Sequence, residues 1–256
     1  MIQTTCKFRS LGFALGLLLA GLMTGPAAAM ESIHPPSSCH LYRGDVSVES
    51  LKQREADLNA ALLQYPSDAE GDHCEMANIH YKLARLLPDQ QMKYLNSCTD
   101  HSQRAIMRDS NSGVAYFFKG LCLGRLGELK GIWGSLNIIG PFRENMEAAV
   151  KIDPAIDSGG PHRALGRLYF KLPQILGGDI QKSIGHLLKA VNYGPTYWEN
   201  HFFLAESYFE NNQYQLARAE LQRAIEISSQ LTDDPESNTR KVQFQGLMKA
   251  IERNLH

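Results

Sequence analysis

Residues 165–169 read Leu-Gly-Arg-Leu-Tyr, and residues 204–208, 39 positions later, read Leu-Ala-Glu-Ser-Tyr. A second match follows at an offset of 34, where Ser183, Leu187 and Ala190 correspond to Ala217, Leu221 and Ala224. The two offsets differ because a longer turn separates the first matches, as Pro173, Gly177 and Gly178 indicate. Apolar residues recur at helical spacing in both stretches. Two consecutive helices therefore recur as a unit.

The same frame extends towards the N-terminus. The first helix of an earlier copy carries Gly120 and Leu123, and its second helix carries Met146 and Ala149, 41 positions before Leu187 and Ala190. A fainter copy places Ala84 and Leu87 on its first helix, with Ser102 and Ala105 on its second. One helix pair cannot bury its apolar face alone, so stacked pairs are needed to form a continuous core. The sequence predicts an all-α protein, a tetratricopeptide-like α-solenoid of about four helix pairs.

The ends of this array need capping helices with a polar outer side. At the C-terminal end, residues 235–256 carry one apolar stripe beside basic residues, formed by Phe244, Leu247, Met248, Ile251 and Leu255. Residues 49–64 are the candidate cap at the other end. We therefore expect one helical domain over residues 49–256. Residues 30–48 contain two adjacent prolines and little periodicity, which predicts a loop or a loosely docked arm.

The first 29 residues have the pattern of a cleaved signal peptide. Lys7 and Arg9 precede an apolar run over residues 11–23, and three alanines at residues 27–29 suit a signal peptidase. The alternative, a retained anchor, is disfavoured because the run is short and Gly-Pro follows it. We expect a periplasmic or secreted protein. No cysteine follows the alanines, which argues against attachment to a membrane through an N-terminal lipid.

Composition excludes several classes of protein. The 256 residues are 43% hydrophobic, enough for a buried core, and only the N-terminal run is apolar enough to suggest a membrane span. Lys and Arg number 26 against 27 Asp and Glu, so no basic field attracts nucleic acid. We expect no nucleic-acid partner and no multispanning membrane protein.

Four cysteines follow the predicted signal peptide, namely Cys39, Cys74, Cys98 and Cys122. An even number in an oxidising compartment favours disulfides, for which three pairings are possible. The helix order favours Cys98 with Cys122 and Cys39 with Cys74. Metal binding is the alternative, because a histidine lies close to three of these cysteines. No Cys-x-x-Cys pair is present, so we predict no metal site.

Tetratricopeptide repeats have the same frame as this sequence, with small residues at the eighth and twentieth positions, an aromatic residue at the eleventh and Pro near the end. Residues 159–169 (GGPHRALGRLY), 177–179 (GGD) and 199–206 (ENHFFLAE) also resemble the T component of tripartite ATP-independent periplasmic (TRAP) transporters. This resemblance implies an all-helical periplasmic scaffold that associates with a solute-binding protein, as an oligomer with a channel for apolar ligands. The better-known members look like lipoproteins, and this sequence lacks their lipidation cysteine.

No linear motif predicts an enzyme or a cofactor. The glycines at residues 120, 124 and 127 lack the spacing of phosphate-binding loops, and neither His-Glu-x-x-His nor Gly-x-Ser-x-Gly is present. His162 and His201 occupy the fourth position of successive copies. They could form a ligand pair, but we favour packing between helices, where an imidazole ring fills space and makes a hydrogen bond.

In tetratricopeptide geometry the first helix of each pair lines a concave face. The frame places on that face the following residues: Tyr81, Arg85, Phe117, Leu121, Arg163, Arg167, Phe170, Phe202, Glu206 and Phe209. Arg125 lies next to this groove. Exposed rings favour an apolar ligand, and guanidinium groups favour carboxylates. For any single ring, an inward position in the core is an equally good interpretation.

We therefore expect an exported, non-enzymatic scaffold whose partner is an extended or amphipathic peptide segment with acidic groups. The solute-binding component of a TRAP-type uptake system would be such a partner, and a homo-oligomer is compatible with the resemblance. One alternative is direct carriage of a small apolar or anionic ligand in a cavity or oligomer pore. A hydrolase without a linear motif is a further, less favoured alternative.

Overall fold

Helices form nearly all of the described chain. The computed structural model describes residues 39–64, 69–231 and 237–255, all within one compact unit. These ranges contain nine α-helices and no β-strand, which confirms the all-α prediction. The helices are α1 (Val48–Gln64), α2 (Ala69–Leu86), α3 (Gln91–Arg108), α4 (Gly113–Ile152), α5 (Ile156–Lys171), α6 (Ile180–Tyr193), α7 (Trp198–Glu210), α8 (Tyr214–Ser228) and α9 (Ser237–Leu255).

The predicted signal peptide, residues 1–29, lies outside the described residues, as do residues 30–38 of the predicted arm. The described part of that arm, residues 39–47, contains no helix. Among the residues that the structure describes, no helix combines the length and the apolar character needed to span a bilayer.

Four helix pairs follow one another along the chain. They are α2 with α3, the two halves of α4, α5 with α6, and α7 with α8. The halves of α4, here α4a (residues 113–130) and α4b (residues 132–152), meet at Gly131, where φ is 70°. Glycine adopts this left-handed backbone without the steric cost of a side chain, so the chain reverses in one residue. The predicted array of four pairs is confirmed, including the faint copy now seen as α2 and α3.

Small residues set the distance between the two helices of a pair. A Cβ atom at Gly166 in α5 would lie 2.6 Å from Leu187 Cγ in α6, and one at Gly120 would lie 2.6 Å from Met146 Cε. The equivalent Ala84 and Ala205 are buried. At the α5–α6 crossing, the hydroxyl of Ser183 donates to the backbone oxygen of Gly166 over 2.9 Å. The helices thus cross so closely that two of these positions take glycine and the other two take alanine.

Capping helices close both ends of the core. At the N-terminal end, Leu51 and Leu58 of α1 are fully buried with residues of α2, α3 and α4. At the C-terminal end, Phe244 and Ile251 of α9 are buried against α7 and α8. The other members of the predicted stripe, residues 247, 248 and 255, pack against the same cluster. The array therefore ends as the apolar pattern predicts.

The structure pairs Cys39 with Cys74 and Cys98 with Cys122, the pairing that the helix order favours. The first disulfide joins the segment before α1 to α2, and the second joins α3 to α4a. All four sulfur atoms are bonded in this way and are unavailable as thiolate ligands. Each disulfide closes a loop of the unfolded chain and lowers its conformational entropy.

We expect Gly166→Ala to lower the free energy of unfolding by about 1–3 kcal/mol, because the added methyl group overpacks the α5–α6 crossing. The control is Gly185→Ala in α6, where nothing lies within 4 Å of the added Cβ. Since alanine favours helix, this control should raise stability by about 0.5–1 kcal/mol. Urea denaturation measures both changes. Equal effects of the two substitutions would contradict the crossing.

We also expect the double substitution Cys98→Ala and Cys122→Ala to lower the free energy of unfolding by about 2–4 kcal/mol, because this disulfide closes a loop of 24 residues. Denaturation of the oxidised protein with and without a thiol reductant measures the effect. If the substitution left the denaturation midpoint unchanged, the Cys98–Cys122 disulfide would not constrain the unfolded chain.

Candidate binding groove

A pocket of about 530 Å³ opens between α7 and α9. Three residues that the sequence placed on the concave face line it, namely Arg167 from α5 and Phe202 and Glu206 from α7. The remaining lining residues come from α7 and α9: Trp198, Glu199, Phe203, Thr239, Arg240, Gln243, Gly246 and Leu247. The first helices of the last two pairs and the C-terminal cap therefore build the pocket together.

A salt bridge forms one side of the pocket. Arg167 donates to the Glu206 carboxylate, and both side chains keep roughly a quarter of their surface exposed (21% and 26%). The guanidinium carbon of Arg167 also lies 4.1 Å from the centre of the Phe203 ring and 4.9 Å from that of Phe170. Ring faces attract cations, so these contacts hold the guanidinium in place. The pair is both fixed and accessible to a ligand.

Aromatic rings form an apolar wall beside the pocket. The Phe244 ring of α9 lies 5.2 Å from Phe202 and 5.6 Å from Trp198, measured between ring centres. The guanidinium carbon of Arg240 lies 4.9 Å from the centre of the Trp198 ring. Phe202, Phe244 and Arg240 are buried. This wall is part of the terminal core, and its edge faces the pocket.

Two other predicted groove residues are buried in the interior. Phe117 packs against Phe118, and a Cβ atom at Gly160 would lie 2.6 Å from its ring. It therefore fills the junction between α4a and α5 and presents no surface to a ligand. Arg163 is also buried, within a polar network at the start of α5. The expectation of an exposed row of rings and arginines is wrong at these two positions and at Phe202, which is buried in the C-terminal core.

Arg163 belongs to a polar network that joins the third pair to the fourth. Its guanidinium donates to the Asp157 carboxylate over 2.6 Å, to the Asp157 backbone oxygen over 3.1 Å and to the Asn200 side-chain oxygen over 3.1 Å. It also lies 4.3 Å from the centre of the Tyr197 ring. The Glu199 carboxylate is 3.6 Å away. These contacts use the guanidinium within the fold, so it is not available to bind a partner.

The network holds a left-handed turn at the start of α5. Asp157, Ser158 and Gly159 have φ values of 48°, 57° and 82°. The Asn200 amide nitrogen lies 2.9–3.0 Å from the backbone oxygens of Ser158, Ala190 and Gly194. Left-handed non-glycine residues are strained, and the surrounding contacts must stabilise them. This turn sets where α5 begins, and Asn200 ties it to both α6 and α7.

The remaining predicted residues line the concave face to different extents. Tyr81, Leu121, Phe170 and Phe209 are half-buried, whereas Arg85 and Arg125 are exposed. Burial raises the pKa of the Tyr81 phenol, and the charges of Arg125, Arg163 and Glu199 also act on it. Those charges belong to α4a, α5 and α7. The first helices of successive pairs lie side by side, as three contacts show. Tyr81 meets Phe118, the Phe117 ring lies against Gly160, and Arg167 pairs with Glu206.

The groove carries mixed charge. Arg125 donates to Glu128 over 2.7 Å, and Arg167 pairs with Glu206. These carboxylates offset the cationic field that the sequence suggested. A ligand that binds here meets alternating charges beside an apolar wall.

Sequence periodicity does not reveal the contribution of α9 to the pocket. It predicts the apolar stripe of α9 correctly, but only as part of a cap, and it favours Trp198 as a packing residue. Gly246 is the available signal, because a glycine within a helix is unfavourable unless space is needed. A Cβ atom at Gly246 would meet nothing within 4 Å, so this glycine leaves the pocket open.

Histidines occupy equivalent positions in three of the first helices, at His80, His162 and His201. Each is buried. Each contacts a side chain on the second helix of its own pair, four positions before the alanine at the twentieth position of the frame. The Nδ1 atoms of His162 and His186 lie 3.0 Å apart, and Nδ1 of His201 lies 2.7 Å from the nearer Glu220 oxygen. In the first pair, the rings of His80 and His101 lie 5.3 Å apart. These contacts join the two helices of a pair.

The environment shifts the pKa values of these histidines in opposite directions. Burial, together with the charges of neighbouring histidines, lowers the pKa of His162 to about 4 and that of His101 to about 3. Burial also opposes the charge on His201, but its contacts with Glu220 and the Pro195 oxygen outweigh this and raise its pKa. In the described ranges, no group of three or more histidine, cysteine or acidic residues could hold a metal ion.

The architecture agrees with that of a known repeat protein. A thermophilic TPR protein from Thermus thermophilus matches with a TM-score of 0.53 at 18% identity, over 78% of this chain and 93% of the other. The fold is a tetratricopeptide-repeat solenoid. MamA from Desulfovibrio magneticus matches with a TM-score of 0.45 at 18% identity, over 75% of this chain and all of the other.

Sequence comparison gives a weaker match. No family model matches the chain. Regulator of microtubule dynamics protein 1 from Bos taurus is 20% identical over 197 residues, which are 66% of this chain and 61% of that protein. The chain thus spans about three fifths of the length of this relative.

We expect the solenoid to lose thermal stability between about pH 7 and pH 5, because the unfolded chain binds protons on His162 that the folded chain does not. The substitution His162→Gln should reduce this loss. The substitution His201→Gln should increase it, since the raised pKa of His201 stabilises the fold increasingly as the pH falls. Thermal midpoints at both pH values measure these changes. Identical pH dependence in the two variants would contradict the assigned environments.

Proposed function

We propose that this solenoid is a scaffold that binds a protein partner in its concave groove, with the pocket between α7 and α9 as the principal contact. The observation that supports this is the combination in one pocket of an accessible salt bridge, Arg167 with Glu206, and an apolar wall around Phe202. Buried apolar anchors provide most of the affinity of an interface, and polar groups at the rim fix its register. We propose no reaction.

The lining of the pocket favours an extended peptide segment of the partner. One apolar side chain would enter beside Trp198, Phe203 and Leu247, while polar groups on either side would meet Arg167 and Glu206. Because the groove carries mixed charge, the segment that fits best has an acidic and a basic group flanking the apolar anchor. This refines the acidic segment that the sequence suggested.

We further propose that the protein is exported and serves a TRAP-type uptake system through its solute-binding component. The pattern of residues 1–29 and the resemblance of residues 159–206 support this proposal. The two disulfides add support, since such bonds persist in oxidising compartments and are rare in the cytosol. An oligomer remains compatible with this role.

Direct carriage of a small apolar or anionic ligand is a second candidate function. The pocket volume of about 530 Å³ is within the range of small-molecule sites and favours this alternative. Native mass spectrometry of the protein, purified without denaturation, distinguishes the two functions. A retained small molecule that excess peptide does not displace would favour carriage.

The substitution Gly246→Leu tests the proposed pocket, because its side chain would fill the space between α7 and α9. We expect it to weaken the binding of peptides selected by display on the wild-type protein by about tenfold or more. The matched control is Gly185→Leu, another open helical glycine, which lies on α6 away from the pocket. Fluorescence polarisation measures both affinities.

We expect Gly185→Leu to leave these affinities within about twofold of the wild-type values, which is less than about 0.5 kcal/mol. Two outcomes would exclude the pocket as the binding site. One is a failure of display to select any peptide. The other is a set of selected peptides that bind the Gly246→Leu variant as tightly as the wild type.

A further inference from the structure

One edge of the solenoid carries the turns that join the first helix to the second in the first three pairs. We call it the turn edge and define it as residues 85–93, 128–136 and 171–182. Neighbouring turns lie side by side, because Lys171 Nζ contacts a Glu128 carboxylate oxygen at 2.7 Å. The turns of the second and third pairs therefore adjoin, and the stacking of successive helix pairs places the turn of the first pair on the same edge.

The turn edge exposes an unusual number of large apolar side chains. Each of the following is at least 42% exposed: Leu86, Met92, Leu129, Leu136 and Ile175. Ile175 is 91% exposed, the highest value among the described large hydrophobic residues. Single exposed apolar residues are normal, whereas a group on one face marks an interaction site.

The exposure of Ile175 follows from a fixed turn. The amides of Leu176 and Gly178 donate to the Pro173 oxygen over 2.9 and 3.1 Å, and Gly177 has a φ of 94°. A Cβ atom at Gly178 would collide with the Leu172 backbone oxygen. Proline and two glycines thus fold the turn back on itself and leave Ile175 at its tip. The sequence of this turn therefore keeps the Ile175 side chain exposed to solvent.

Charge distinguishes the turn edge from the opposite edge. The turn edge has five basic residues against three acidic ones: Arg85, Lys93, Lys130, Lys171 and Lys182, with Asp89, Glu128 and Asp179. The opposite edge, residues 107–113, 151–157 and 193–199, has two basic and four acidic residues. The chain as a whole has a formal charge of −1, so the turn edge is locally positive.

We propose that the turn edge docks on an anionic lipid surface. Apolar tips would enter the interface between headgroups and acyl chains, and the lysines around them would contact the negative headgroups. A folded protein partner needs a complementary shape, but a bilayer accepts separate apolar tips on three turns at once. The concave groove, lined by the first helices, would remain open to a partner.

Vesicle binding tests this proposal with the full chain. We expect cosedimentation with vesicles of mixed phosphatidylglycerol and phosphatidylcholine, and much weaker cosedimentation with phosphatidylcholine alone. The double substitution Leu129→Ser and Ile175→Ser should reduce binding to the anionic vesicles by about tenfold or more, because both side chains would otherwise leave water. Both residues are exposed, so the fold should persist, as circular dichroism would show.

The matched control is the double substitution Leu63→Ser and Val242→Ser, which changes two exposed apolar residues on α1 and α9, outside the turn edge. It should bind vesicles as the wild type does. The Gly246→Leu variant should also retain vesicle binding, which separates this proposal from the peptide groove.

Three results would overturn the proposal. The first is an absence of wild-type binding to anionic vesicles, and the second is equal loss of binding in the two double variants. The third is wild-type self-association in sedimentation velocity that Leu129→Ser with Ile175→Ser abolishes, without vesicle binding by either protein. That result would make the turn edge an interface between copies of this chain.

Discussion

The close crossing of two helices at a small residue is the constraint on which this solenoid depends. At the α5–α6 crossing, Gly166 leaves room for Leu187, and Ser183 bonds to the Gly166 backbone oxygen. The second helix packs on the face of the first helix that carries the small residue. Another face of the first helix can therefore pack beside the first helices of the neighbouring pairs. The inner wall, and hence the groove, follows from that spacing. A binding surface is therefore a consequence of packing between backbones.

Sequence periodicity predicts the helices, their pairing and the caps, because each depends on local spacing and on small residues at fixed positions. It does not predict which groove residues reach solvent. Phe117 and Arg163 share a frame with the exposed Arg125, yet Phe117 fills the junction with α5 and Arg163 holds the left-handed turn at Asp157. Both outcomes depend on contacts between pairs, which one repeat does not encode. The pocket likewise needs α9, which lies outside the repeat pattern.

Buried polar groups make the stacking specific. Apolar stripes alone would allow the fourth pair to slide along the third. Asn200 fixes their register by bonding to backbone oxygens in both the α5 turn and the end of α6. The histidines act in a similar way within pairs. His162 contacts His186, and His201 contacts Glu220 at the equivalent position of the next pair. Polar contacts thus specify one arrangement among many apolar ones.

The Cys39–Cys74 disulfide encloses the whole of α1, since this helix spans Val48–Gln64. Tension applied to the polypeptide from the N-terminal side of Cys39 would pass through the sulfur atoms to α2 and bypass α1 entirely. The first capping helix is thereby mechanically shielded. The load would instead fall on α2. The helix paired with it, α3, is cross-linked to α4a by the Cys98–Cys122 disulfide. Force that enters from the N-terminal side is therefore borne first by the α2–α3 pair.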